Sequence, residues 1–305
     1  MGKKILNLKS KLLNNEIIVN MYRKFKSILG HISPKLNSKL IYYTTFGKKL
    51  NLKDPKEFNE KLMYLKLTDY IKNPTIWKCA DKYEVRNYAI EKRISKDNLT
   101  KLYGVYKNVK DIEYDKFPNK FVLKCSHGCG FNYVVENKMN LDINDANRKI
   151  NEWLHTKFGY EATELQYTKI KPVIMCEEFI EGEKGELPRD YKIYCFYGEP
   201  KLALVCSDRK EGTKLNYYDF EWNELPIGKE QLRLNKKIEK PKGLEKMIEI
   251  SKKLSKDIPY VRIDFYENKG RVLLGEMTFT PAACCAQYYS KEGDKYLSEL
   301  LKLNN

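Results

Sequence analysis

The stretch Val261-Arg262-Ile263-Asp264-Phe265-Tyr266, a break at Asn268-Lys269-Gly270, and then Val272-Leu273-Leu274-Gly275-Glu276-Met277-Thr278-Phe279-Thr280-Pro281 reads as a β-hairpin. Both arms are runs of apolar and branched residues, and Asn-Lys-Gly supplies the turn. One acid interrupts each arm, Asp264 on the first and Glu276 on the second. Carboxylates inside a sheet are costly unless partnered, and two facing one cleft are readily stabilised by Mg²⁺ carrying phosphates. The hairpin therefore points to a nucleotide site. The alternative is a solvated face on which Asp264 pairs with Arg262 or Lys269, and the hairpin by itself leaves both readings open.

Other elements surround this hairpin. Phe58 to about Tyr70 and Ala80-Asp81-Lys82 through Ile90 read as helices, and Asp142 to Phe158 as an amphipathic helix capped by Asp142 or Asn144. Strands are expected at Phe121–Cys125, Tyr133–Val135, Val173–Ile180, Asp190–Tyr197 and Lys201–Cys206, with helices at Leu244–Leu254 and Lys295–Leu303. The string is α+β with mostly antiparallel strands, without an internal repeat or regular β-α alternation.

With 305 residues, 42% of them hydrophobic, the chain is long enough for a sizeable core. No apolar run is long enough to span a bilayer, and the start lacks a small-residue cleavage site after an apolar stretch, so a cytoplasmic protein is expected. Cys125, Cys176, Cys195 and Cys206 lie inside apolar runs and read as reduced core thiols. The net charge of +16 is unevenly spread: residues 1–56 hold 13 lysines or arginines against Glu16 and Asp54, a net +11. Within them Ile5, Leu8, Leu12, Val19, Tyr22, Phe25 and Leu29 recur at roughly helical spacing, with breaks at Gly30 to Pro34 and Gly47 to Pro55. This is a basic helical extension that packs on the body, or else rests on an anionic membrane at its inner face. No RNA-binding signature accompanies the charge, so no specific nucleic-acid partner is expected.

Several further motifs can carry chemistry. Lys124 ends an apolar strand directly before Ser126-His127-Gly128-Cys129-Gly130, where glycines let backbone approach phosphate oxygens; a plain turn looks the same. Glu177-Glu178-Phe179 closes another strand and suits an adenine edge and a ribose hydroxyl, or simply a solvated strand end. Asp190, Lys192 and Tyr194 share one strand face, and Ser207-Asp208-Arg209 adds a cation to the same edge.

The order of these motifs, from Phe58-Asn59-Glu60-Lys61 and Ala80-Asp81-Lys82-Tyr83 through Lys124, His127-Gly128-x-Gly130, Glu177-Glu178-Phe179, Asp190-Tyr191-Lys192 and Arg209 to Arg262-Ile263-Asp264 and Gly275-Glu276-Met277-Thr278, resembles the TupA-like family of the ATP-grasp superfamily. The resemblance runs from about Phe58 to the C-terminus. It implies an ATP-grasp fold in which two α+β subdomains grip ATP. Residues 57–305 would form the catalytic domain, with a smaller flap subdomain at about 115–180. It implies Lys82, Lys124, His127, Gly128, Gly130, Glu177, Glu178, Phe179 and Asp190 around the nucleotide, with Asp264, Glu276 and Thr278 toward Mg²⁺. Lys124, Lys192, Arg209 and Arg262 would stabilise the moving phosphoryl group. Thr278 stands where the superfamily usually has Asn, and Ala282-Ala283-Cys284-Cys285 where a glycine commonly follows the final proline.

The implied activity is an ADP-forming ligase that joins a carboxylate to an amine through an acyl phosphate, acting on a bacterial surface polysaccharide or its precursor. Two alternatives are a kinase for a sugar or glycan hydroxyl, and a basic membrane- or nucleic-acid-binding protein with a vestigial site.

Overall fold

The computed structural model describes residues 16–182, 188–207, 212–268 and 270–303. Its helices, in chain order, are α1 Glu16–Ile32, α2 Pro34–Phe46, α3 Phe58–Thr68, α4 Pro74–Ala80, α5 Glu84–Glu91, α6 Ile143–His155, α7 Leu244–Leu254 and α8 Lys291–Leu300. Its strands are β1 Leu102–Tyr106, β2 Phe121–Cys125, β3 Asn132–Val135, β4 Ile174–Glu178, β5 Asp190–Phe196, β6 Glu199–Ser207, β7 Lys214–Tyr218, β8 Glu224–Leu225, β9 Tyr260–Asn268 and β10 Arg271–Thr278. They form two sheets in the orders β1-β4-β2-β3 and β10-β9-β5-β6-β7-β8, with antiparallel neighbours throughout. The expected α+β architecture with antiparallel strands is therefore present.

Each sheet has its own core. On the smaller sheet Phe121, Leu123, Cys125, Ile174 and Cys176 pack with Ala146 and Ile150 of α6. Those two positions lie four apart on the apolar face of the helix, and the Asp142 carboxylate caps its start by accepting from the Asp145 N–H at 3.0 Å. On the larger sheet Ile193, Ile263 and Phe265 are fully buried with Phe58 of α3, Tyr70 in the turn after it and Leu254 of α7. β5 reads as an almost unbroken buried run, as expected for an inner strand covered on both faces. The thiols of Cys125, Cys176, Cys195 and Cys206 are free and buried.

Three boundaries differ from expectation, each for a local reason. The helix expected from Ala80 through Ile90 is two helices: α4 stops at Ala80, and Asp81-Lys82-Tyr83 turns the chain before α5. The Asp81 carboxylate accepts from the Tyr83 and Glu84 N–H groups at 2.8 and 3.3 Å, so this acid caps the second helix instead of continuing the first. The last helix begins at Lys291 rather than Lys295, because the Ser290 hydroxyl accepts from the Gly293 N–H. α1 runs through Gly30 to Ile32, and Ser33 with Pro34 starts α2 immediately. β1, β7 and β8 were not anticipated. Among the described residues no helix is long and apolar enough to cross a membrane.

Candidate functional site

The acidic hairpin forms, and its register places Glu276 directly opposite Asp264 and Thr278 opposite Arg262. A bulge at Gly275 produces this register, and there is little room for more than glycine there: a Cβ would lie 3.1 Å from both the Asp264 carbonyl oxygen and the Tyr266 ring. On the other side of β9, Lys192 of β5 stands opposite Asp264 and Asp190 opposite Tyr266. Paired residues in an antiparallel ladder share a face. Glu276, Asp264 and Lys192 thus form a charged row across three strands, with Thr278, Arg262 and Tyr194 as the next row.

Ion pairs tie the row together. The Lys192 ammonium bonds Asp264 and lies 2.6 Å from Asp190. Arg262 donates to Asp264 through Nε at 2.7 Å and Nη2 at 2.8 Å, and reaches the Thr278 hydroxyl at 3.3 Å. Thr278 in turn donates to Glu276 at 3.0 Å. Burial pushes the Asp264 carboxyl up against the pull of Arg262 and Lys192. Glu276 is affected oppositely: burial would raise it, but Lys82, Lys192 and Arg262 hold it down at about 2, so it is ionised at any working pH. Asp264 does pair with Arg262, as the alternative reading has it, but as a buried residue and not on a solvated face.

The smaller sheet supplies the opposing wall. Lys82, in the turn between α4 and α5, donates from its backbone to the Ser126 carbonyl and from its ammonium to the Gly128 carbonyl, both in the glycine loop, and lies 3.5 Å from Glu276. Gly128 and Gly130 have left-handed backbones, φ 77° and 79°, which is why this loop needs glycine at both positions. Lys124 of β2 donates to Glu177 of β4 at 2.8 Å. Burial alone would depress this lysine, but the Glu177 carboxylate outweighs that and holds it above its ordinary value.

Not every expected residue faces the row. Glu177 is engaged on its other oxygen by Thr100 at 2.8 Å and Arg86 at 3.2 Å, and Glu178 is held by Arg271 and the Lys101 N–H. Phe179 lies beside Lys120. The His127 imidazole packs behind the loop, with Nε2 3.1 Å from the Thr156 carbonyl and the ring against Phe131, and burial keeps it below its ordinary pKa. Arg209 and Lys269 lie outside the described residues. Sequence reasoning missed Arg86 and Thr100, which carry no local signal, and also Asp81. After Pro281 three successive residues, Ala282, Ala283 and Cys284, are left-handed at φ 48°, 53° and 64°. The buried Lys66 ammonium holds that turn by donating to the Ala283 and Ala162 carbonyls.

The arrangement can hold a polyanion: Lys192 and Arg262 of the larger sheet, Lys124 of the smaller one and Lys82 of the α4–α5 turn lie around the carboxylates of Asp264, Glu276 and Glu177. Mg²⁺ carrying phosphates fits the donor set, because Asp264, Glu276 and Thr278 offer hard oxygens, and such an ion is commonly held by one or two carboxylates plus substrate phosphates. Among the described residues no group of three or more His, Cys, Asp or Glu is placed to hold a metal ion.

A family model described as TupA-like ATPgrasp matches residues 60–302. No curated protein matches the sequence. Among solved structures the chain is similar to the L-amino acid ligase from Bacillus licheniformis, at 13% identity and TM-score 0.48, over 88% of this chain and 61% of that one. It is also similar to a D-alanine–D-alanine ligase from Helicobacter pylori, at 17% identity and TM-score 0.41, over 73% and 61%. This chain thus spans 61% of the length of each, and neither overlap bears on substrates.

Proposed function

The chain belongs to the TupA-like ATP-grasp family, and on that premise we propose that it is an ATP-dependent ligase joining a carboxylate to an amine through an acyl phosphate. The observation that carries this reading is the charged row Glu276–Asp264–Lys192, with Arg262 beside it and Lys82 and Lys124 opposite. Phosphoryl transfer asks the protein for position and for charge stabilisation, and this cleft supplies cations from two sides without a Ser-His or Cys-His pair. The same polarity suits a uronic-acid-type glycan or its precursor as the carboxylate, with an amino acid or amine as acceptor.

In this scheme the substrate carboxylate oxygen attacks the γ-phosphorus, the bond to the β–γ bridging oxygen breaks, and ADP leaves. Lys82 and Lys124 bind the phosphates, while Lys192 and Arg262 face the charge that develops on the transferred group. Asp264 and Glu276, with the Thr278 hydroxyl, would hold magnesium, which would supply neutralisation of phosphate charge. The amine then attacks the acyl carbon, phosphate departs, and the amine releases a proton to solvent. The loop Ser126–Gly130 covers the phosphates and excludes water during the first step.

Trapping tests the reading. With ATP, Mg²⁺, hydroxylamine and a panel of uronic acids and acidic glycan precursors, the expected products are ADP and a hydroxamate. A stable phosphate ester without hydroxamate would make the protein a kinase for a hydroxyl group. AMP and pyrophosphate would mean attack at the α-phosphorus and would overturn both.

A further inference from the structure

Polarity is largely reversed along α1 and the first turns of α2. There the side that meets the body is mostly polar and close-packed, and only further along α2 do Tyr42 and Phe46 join the core. Gly30 approaches so near that a Cβ there would lie 1.9 Å from the Tyr160 carbonyl oxygen. Arg23 and Lys26 pair with Glu161 at 3.0 and 2.9 Å, Asn37 donates to the Tyr160 and Glu161 carbonyls, and Ser38 bonds Thr163 at 2.7 Å. The opposite side is apolar. Met21, Phe25, Ile28 and Ile32 recur every three or four residues along one line of α1, and Leu36 and Tyr43 extend that line over α2. All six are exposed, Met21 at 66%, Ile28 at 60% and Ile32 at 75%. A helix that merely packs on a globular body buries its apolar stripe and turns its polar face to water. The reading of this extension as packing alone therefore accounts for the polar side and not for the apolar one.

Charge and shape narrow what covers the stripe. Lys24, Lys35 and Lys39 are exposed and lie within about 100° of it around their helices. The single acid between residues 16 and 46 is Glu16, and residues 1–15 add four lysines and no acid. Two stripes meeting in a symmetric dimer would bring the same lysines of both copies together. The stripe also continues inward. Ile28 and Ile32 line a cavity of about 590 Å³ together with Leu154, Phe158 and Ile170, and with Lys157 and other polar residues. A flat partner helix would leave that cavity unfilled, whereas a flexible hydrocarbon chain can enter it.

We propose that the α1–α2 face docks on an anionic phospholipid surface, with the apolar stripe at the boundary between headgroups and acyl chains and Lys24, Lys35 and Lys39 at the phosphates. An acyl chain occupies the cavity beside Ile28 and Ile32, whose lining includes His127 of the glycine loop. Docking is independent of nucleotide, so its failure would leave the ligase reading untouched.

Vesicle flotation of the full chain tests this. The wild type should float with phosphatidylcholine vesicles containing phosphatidylglycerol and not with phosphatidylcholine alone, and added salt should weaken the binding. Phe25→Ser/Ile28→Ser and Lys24→Gln/Lys35→Gln/Lys39→Gln, checked for unchanged circular dichroism and melting temperature, should each reduce binding roughly tenfold or more. Absence of flotation with anionic vesicles would overturn the proposal, as would binding unchanged by the Phe25→Ser/Ile28→Ser variant. A dimer in sedimentation that this variant dissociates, with no vesicle binding, would instead assign the stripe to a second copy of the chain.

Discussion

Asp264 and Glu276 face each other directly across the β9–β10 ladder, one residue past the bulge at Gly275. Their surroundings separate their roles: Asp264 is buried and held by Arg262 and Lys192, whereas Glu276 keeps more contact with the cleft. Removing either charge should lower turnover by about 10²–10³, the usual loss when one stabilising group is taken from a charged transition state. The melting temperature should distinguish them. Asp264→Asn leaves two buried cations under-compensated and should melt earlier; Glu276→Gln removes a carboxylate that Lys82, Lys192 and Arg262 hold ionised and should also melt earlier, but by less, because that side chain is 38% exposed. Either variant turning over at the parental rate would remove that carboxylate from the site.

Glu177 presents a different case, because it holds together groups from four segments. It binds Lys124, Thr100 and Arg86, and so joins β2 and α5 to β4. Glu177→Gln would leave two buried cations without their counter-charge, and the expected loss of stability is about 3 kcal/mol or more, measured by urea denaturation. A loss under about 1 kcal/mol would mean that Lys124 and Arg86 find other partners or reach water. If Lys124 binds the phosphates as proposed, Lys124→Met should weaken ATP binding in addition to any change in stability, and ATP affinity equal to the parent's would remove it from the nucleotide site.

How much of this site was legible depends on how local each signal is. The acidic hairpin could be read because an acid in an apolar strand breaks a period-two pattern within a few residues. Its register could be read only approximately, since the Gly275 bulge shifts the ladder by one. Arg86 lies 91 residues from Glu177, and nothing around Glu84-Val85-Arg86-Asn87 separates a buried guanidinium from one on a solvated helix. Lys82 was found for its residue type but placed on a helix, because Asp81 as a cap looks the same in sequence as Asp81 within a helix. The periodicity read in the N-terminal helix, Val19, Tyr22, Phe25 and Leu29, shares only Phe25 with the exposed stripe, and Val19 and Leu29 are half-buried. The outward direction of that stripe was not legible, since it depends on Gly30 meeting Tyr160.

Gly128 and Gly130 of the loop Ser126–Gly130 should respond unequally to a methyl group. Both have positive φ, so alanine costs about 1 kcal/mol of backbone strain at either position. At Gly130 the added Cβ meets open space, whereas at Gly128 it would lie 2.8 Å from the Phe158 ring and 2.9 Å from the Phe131 ring. Gly128→Ala should therefore destabilise the protein more than Gly130→Ala in thermal melts. Both should weaken the protection from hydrogen exchange that ATP with Mg²⁺ gives residues 126–130. Equal melting of the two variants would show that Phe131 and Phe158 yield, and unchanged exchange in the wild type on adding nucleotide would reduce the loop to a plain turn.

Asp81 offers a test in pH. It is buried between α4 and α5, and burial raises its carboxyl from 3.8 to about 6 despite the N–H groups of Tyr83 and Glu84 and the Ser126 hydroxyl, all of which favour the charged form. The folded protein then holds this proton more tightly than the unfolded chain does. Between about pH 4 and 6 folding takes up a proton at this site, so the stabilisation is complete below pH 4 and is lost as pH rises through about 6. Asp81→Asn keeps the Oδ1 acceptor for the Tyr83 and Glu84 N–H groups and removes the titration. The difference in unfolding free energy between parent and variant should therefore move against the parent as pH rises from 4 to 6, by at most about 1.4 kcal/mol per pH unit, and level off above that. Ser126 also accepts from the Lys82 backbone N–H, so a charge appearing on Asp81 is felt where the loop Ser126–Gly130 begins. Parallel stability curves for parent and variant across this window would mean that Asp81 is ionised in the fold and that its capping bonds outweigh its burial.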